Sequence, residues 1–93
     1  MFTILTDTVI GRSADLLATE VDGETVLMHV ERGQYYGLAK TARAIWTLLE
    51  EPMRFQDLCL SLQARYAGDA RAIEDDARRF VAQMANEQLV LLS

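Results

Sequence analysis

The sequence predicts an α+β domain, with a three-stranded antiparallel sheet followed by three helices. Three observations carry that expectation. Two runs rich in Val, Leu and Thr flank Asp22-Gly23, the pair best suited to a two-residue hairpin turn. From about residue 40, apolar residues recur at helical rather than strand spacing. Strands that precede helices, instead of alternating with them, place the helices on one face of a small sheet. A chain of 93 residues makes a single domain, 1–93.

Taken in order, Phe2, Ile4 and Leu5 suit either a short strand or a docked arm, and Gly11-Arg12-Ser13 reads as loop. Residues 16–21 and 25–30 are the first two strands of a meander. A type I′ turn requires positive φ at both central residues, so Asp22-Gly23 sets Val21 opposite Glu24 and Thr19 opposite Val26. Arg32-Gly33 reads as a second tight turn, with Glu31 opposite Gln34 and Val30 opposite Tyr35. The third strand is then 34–38. Within it, Gly37 either marks a bend or lets another backbone approach closely.

Ala42, Ile45, Trp46 and Leu49 form one stripe of a first helix over 40–51, which Pro52 stops. Phe55, Leu58, Cys59, Leu62 and Tyr66 continue the rhythm in a second helix over 54–66, with Arg54 a poor N-cap and Gly68 a C-terminal stop. A third helix spans 70–87. Asp69 is its N-cap, Glu74, Asp75 and Asp76 sit toward its positive end, and Ile73, Ala77, Phe80, Val81 and Met84 are its stripe. Asn86 or Gln88 marks its end. Leu89-Val90-Leu91-Leu92 is a small strand or a plug on the core.

Hydrophobic residues make up 51% of the chain, which excludes disorder. The formal net charge of −5 argues against nucleic-acid binding, where phosphate neutralisation supplies most of the affinity. Residues 1–31 hold six acids (Asp7, Asp15, Glu20, Asp22, Glu24 and Glu31) against Arg12 alone, which reads as a solvated face or as a weak bias toward a basic partner. Cys59 is the only cysteine, so no intramolecular disulfide forms. The start lacks a basic n-region, and no apolar run approaches the ~20 residues needed to span a bilayer. The expectation is a cytoplasmic protein with no membrane association.

The inventory for chemistry is poor. His29 is the only histidine, placed mid-strand and facing solvent or a cross-strand tyrosine, and a metal site needs at least three such ligands. Cys59 lies in an apolar stripe and reads as a small buried hydrophobe. Glu74, Asp75 and Asp76 are consecutive on a helix and splay around its axis instead of facing one site. The five glycines are scattered singly, so no phosphate loop exists. No catalytic residue, metal or cofactor is expected.

A short aromatic strand with an open edge points to peptide binding instead. The candidate peptide-binding residues are Gln34, Tyr35, Tyr36, Gly37 and Leu38 on that strand, and Ala77, Arg78, Phe80, Val81 and Met84 on the third helix. Tyr35 and Tyr36 face opposite sides of the strand, so one of them looks outward. Trp46 reads as core. Met84 suits an adaptable pocket, and Arg78 and Arg79 read as a solvated face or as partners for peptide acids.

The run from Val26 through Glu31-Arg32-Gly33-Gln34-Tyr35-Tyr36-Gly37-Leu38, Thr41, Ile45-Trp46, Leu48-Leu49 and Pro52 resembles the PqqD-like family, as does the later spacing Asp76, Phe80-Val81, Met84 and Leu89-Val90. These are RiPP recognition elements, small winged-helix-like domains that bind the leader region of ribosomally made precursor peptides. The resemblance covers a core of about 15–91. It implies a leader added as an extra strand beside residues 34–38, against the third helix. The wording is most similar to the stand-alone leader-binding protein of lasso-peptide biosynthesis clusters. That implies a non-catalytic adaptor serving a separate cysteine-protease-like leader peptidase, and then a cyclase. The alternative within the family is the same role for a radical SAM enzyme in pyrroloquinoline quinone synthesis. Ala39, Arg54 and Gln88 depart from the family's habit of a polar cap after Leu38, a Ser or Thr cap, and a glycine before the final Leu-Val. Two readings of other classes stand beside this one: a winged-helix DNA binder, against which the acidity counts, and a structural subunit of a larger enzyme. The open edge also leaves room for homodimer pairing.

Overall fold

The computed structural model describes residues 3–38 and 40–93. Phe2 of the expected arm and Ala39, the departure after Leu38, lie outside the described residues. The element order is β1 (Val9–Arg12), β2 (Leu16–Val21), β3 (Glu24–His29), β4 (Gln34–Leu38), α1 (Thr41–Leu48), β5 (Met53–Arg54), α2 (Phe55–Arg65), α3 (Ala70–Asn86) and β6 (Val90–Leu92). The α+β class stands, with the meander β2-β3-β4 leading into three helices. The expected single sheet is accompanied by a second, ordered β5-β1-β6.

The second sheet corrects the reading of Gly11-Arg12-Ser13 as loop. Gly11 and Arg12 are ladder residues of β1, opposite Leu91 and Val90, while Ile10 faces Leu92 on one side and Met53 on the other. Gly and Ser signal a loop only locally. Here the partners come from the far end of the chain, and pairing plus full burial of Ile10 override the local preference. The hydrophobic core accordingly reaches back to Ile4 and Ile10. Arg12 ties this sheet to α1. Its guanidinium lies 4.3 Å from the centre of the Trp46 ring and donates to the Trp46 carbonyl.

In the first sheet the Asp22-Gly23 turn behaves as its chemistry requires. Both residues have positive φ, 51° and 83°, and Val21 pairs with Glu24 and Thr19 with Val26. The second connection differs from the expected two-residue turn. It is a four-residue loop, 30–33, closed by the Gly33 N–H donating to the His29 carbonyl at 2.8 Å, with Gly33 at φ 64°. Val30 leaves the ladder and donates to the Asp15 carbonyl, so β4 pairs His29 with Gln34 and Met28 with Tyr35. The slip amounts to two residues, the period of a strand, so every side chain keeps its expected face.

The inward face of this sheet presents Leu27 and Leu38 to a core that also holds Ile45, Trp46, Leu49, Phe55, Leu58, Leu62 and Val81. Trp46 is therefore core, as expected. His29 is not solvent-facing: it lies on the same inward face as Leu27, only 4% exposed, and its Nδ1 has no hydrogen-bond partner among the described residues.

The helix ends show where sequence signals were weak. Arg54 supplies no side-chain cap for α2. The N–H groups of Phe55 and Gln56 instead donate to the carbonyls of Thr8 and Thr6 at 2.8 and 3.0 Å, so the N-terminal arm caps this helix with its own backbone. Asp69 caps α3, accepting from the Arg71 N–H at 3.4 Å. Glu74, Asp75 and Asp76 fall beyond the first turn of α3, too far along to serve the dipole, and two of them pair locally, Glu74 with Arg78 and Asp76 with Arg79, both at 3.5 Å. After α3, Gln88 takes the left-handed conformation, φ 62°, that a glycine adopts more cheaply. No described helix is long and apolar enough to cross a membrane.

Candidate functional site

Strand β4 pairs with β3 on one side and with nothing described on the other. Alternation along the strand sends Tyr35 outward, 71% exposed, and Tyr36 inward against the core. The backbone between them is an unpaired edge. Beneath that edge lies an open cavity of about 380 Å³. One wall is Tyr35 to Leu38. The other comes from α3 and the residues after it, with Phe80, Gln83, Met84, Glu87 and Leu89, while Ala42 of α1 closes an end. Phe80, Gln83, Met84 and Glu87 stand at i, i+3, i+4 and i+7, one face of a helix, so α3 presents them together.

The cavity is apolar over its middle and polar at one end. The Tyr36 hydroxyl lies 2.6 Å from Gln34 Oε1 and 3.0 Å from Glu87 Oε2. A phenol has one proton, which serves one acceptor at a time. Its pKa is raised above the ordinary value, chiefly by loss of solvent, then by the hydrogen bond to Glu87 and that residue's charge, against a lowering by Arg32. Tyr36 is therefore a protonated donor at neutral pH. Arg32 donates to the Glu87 carbonyl at 3.2 Å. The edge thus offers backbone groups for strand pairing, and the space below it accepts apolar side chains of moderate size.

Of the residues singled out from sequence, Tyr35, Tyr36, Gly37, Leu38, Phe80 and Met84 come together on this cavity. Gln34 touches its polar end through Tyr36. Three others lie elsewhere. Ala77 and Val81, 1% and 0% exposed, are buried in the core. Arg78 points away: it stacks on Phe55 at 4.7 Å and donates to the Ile4 carbonyl, holding the N-terminal arm. The sequence reading took the whole apolar stripe of α3, whereas the cavity uses the face one step round from it. That is why Gln83 and Glu87, which are polar, were missed. The 3.6-residue period carried forward from Phe80 would have found them. Ala42 and Leu89 carried no such signal.

Cys59 is 4% exposed, and its thiol is pushed up to about 11, first by burial and then by the charge of Glu74, against a lowering by Arg78. Among the described residues no group of three His, Cys, Asp or Glu side chains is placed to hold a metal ion.

The family model described as Coenzyme PQQ synthesis protein D (PqqD) matches residues 24–90. Two solved structures share the fold. One is described as TbiB1 in complex with the TbiA(beta) leader peptide; it is 34% identical, covers 86% of this chain and 93% of its own, and superposes with a TM-score of 0.79. The other, a lasso peptide synthetase B1 complexed with the leader peptide, is 21% identical, covers 88% and 96%, and has a TM-score of 0.78. No curated protein matches the chain. The matched span runs from the start of β3 to the start of β6 and holds every residue of the cavity, and on that match the chain belongs to the PqqD family.

Proposed function

We propose that this chain is a non-catalytic adaptor that binds the leader region of a ribosomally synthesised precursor peptide. The leader pairs as a fourth strand along β4, sends alternate side chains into the cavity over α3, and is presented to processing enzymes. The observation that carries the reading is the open β4 edge directly above an apolar cavity. A structure 34% identical to this chain is described as a complex with a leader peptide, which supports a leader peptide as the ligand here. The resemblance of residues 31–38 to the lasso-cluster form of the family favours lasso-peptide biosynthesis, with a separate leader peptidase and then a cyclase as the enzymes served. A net charge of −5 argues against nucleic acid as the partner.

The test is fluorescence-polarisation binding of a labelled leader peptide from the precursor gene next to this one. Saturable sub-micromolar to micromolar binding that survives moderate salt is the expected result. Absence of binding to every neighbouring precursor sinks the adaptor reading in favour of a structural subunit. The family match also keeps a second assignment alive, the same adaptor role for a radical SAM enzyme in pyrroloquinoline quinone synthesis. Co-purification with a leader peptidase or with a radical SAM enzyme separates the two.

A further inference from the structure

The peptide-binding cavity carries one formal charge on its wall, the Glu87 carboxylate. That carboxylate is only partly covered, and the sole hydrogen bond it accepts among the described residues is from the Tyr36 hydroxyl at 3.0 Å. The ion pairs among the described residues are Arg43–Glu20, Arg78–Glu74 and Arg79–Asp76, and Glu87 belongs to none. The nearby Arg32 spends its Nη1 on the Glu87 carbonyl instead. A carboxylate has about four acceptor positions, so Glu87 keeps unused capacity facing the groove.

Its placement is also locally unfavourable. Glu87 is the C-cap of α3, where the last carbonyls of the helix already present partial negative charge and where a cation is preferred. A residue that breaks a local rule at the mouth of a binding cavity marks a functional demand. The Glu87 carboxylate and the helix end make this end of the groove electronegative, offset in part by Arg32 at the Glu87 carbonyl.

We infer that Glu87 is a specificity-determining residue of the groove and reads a basic side chain, Lys or Arg, at one position of the bound peptide. This rests on the peptide-binding reading. The peptide has apolar side chains at alternate positions over Phe80 and Met84 and a cation at the position that reaches the end of α3. A charge-assisted hydrogen bond in a partly desolvated site accounts for about a tenfold preference over an uncharged side chain.

The experiment is a display selection of random ten-residue peptides on three proteins: wild type, Glu87→Gln and Glu87→Lys. Circular dichroism and melting temperature come first. Both variants are expected to fold: Glu87→Gln keeps an acceptor for the Tyr36 hydroxyl, and Glu87→Lys exchanges that hydrogen bond for a favourable charge at the helix C-terminus. Wild type is expected to enrich Lys or Arg at one fixed position relative to the apolar ones, Glu87→Gln to lose that enrichment, and Glu87→Lys to replace it with Asp or Glu. A synthetic wild-type winner should bind Glu87→Gln about tenfold more weakly by fluorescence polarisation. Apolar peptides enriched without a charge preference, or with the same basic preference in all three proteins, overturn the role of Glu87 and leave the groove standing. Failure to enrich any peptide, or winners that bind equally well when Phe80 is replaced by Ala, overturns the groove reading and this inference with it.

Discussion

Phe80 and Met84 both line the groove, but they respond differently to substitution. Met84 is 4% exposed, so a charged replacement there leaves an ion in the core and unfolds the chain before it reports on binding. Phe80 is half-buried, and Phe80→Ala removes apolar wall without burying a charge. Leader affinity is expected to fall by about 1–2 kcal/mol, read by fluorescence polarisation, with the far-UV circular dichroism unchanged. Unchanged affinity would move the groove elsewhere. Cys59 makes a prediction of the opposite kind, on stability alone. Its thiol is raised to about 11 from an ordinary 9.0, so the folded state resists forming the thiolate. The sign follows: this contribution is fully present below pH 9, where both states hold the proton, and is lost as pH rises from 9 toward 11 and the unfolded chain releases it first. Urea unfolding is expected to show that decline in wild type and a shallower one in Cys59→Ala. The site's residues were legible in the sequence to the extent that they were apolar or aromatic. Tyr35, Tyr36 and Phe80 announce themselves by type, whereas Glu87 and Gln83 are visible only once a helix face is drawn through Phe80.

The sheet and helices were legible wherever a signal was local. Asp22-Gly23 fixes one hairpin register through its own φ preferences, and Asp69, Pro52 and Gly68 punctuate the helices. Signals failed where the partner was distant. Nothing near Gly11 says that Leu91 lies opposite, and nothing near Arg54 says that Thr6 and Thr8 cap the helix it precedes. Four-residue and two-residue loops also share turn residues, so Arg32-Gly33 could not set the second register on its own. In the proposed function the element that matters is β4, and its prediction is about pairing geometry. In an antiparallel ladder only every second N–H of a strand points to a given neighbour. Leader peptides methylated at successive backbone nitrogens are expected to alternate, with every second methyl weakening binding roughly fivefold for one lost hydrogen bond and the intervening ones doing little. A uniform response along the leader would rule out strand addition and point to recognition by side chains alone.

At the scale of the molecule, the second sheet is a clasp on the side chains that support the groove. β1 reaches β6 at one edge and β5 at the other, and β6 follows directly on Leu89, which lines the cavity. β5 leads into α2, whose first N–H groups are satisfied by the arm before β1. The groove therefore stands on a scaffold that includes residues outside the 24–90 span of the family model. Ile10 is the measurable centre of that scaffold: it is fully buried, paired on both sides, and remote in sequence from every cavity residue. Ile10→Ala is expected to lower the unfolding free energy by about 2–5 kcal/mol, the range for opening a cavity at a packed aliphatic site. For a domain of this size that is a large share of the total, which is about 0.05–0.15 kcal/mol per residue. Leader affinity of the fraction that remains folded should stay within about twofold of wild type, because no cavity atom is removed. Urea unfolding followed by polarisation binding at low temperature separates the two effects. A variant that stays as stable as wild type would mean β1 is an appendage rather than part of the core. A stable variant with lost binding would mean instead that β1 shapes the groove directly.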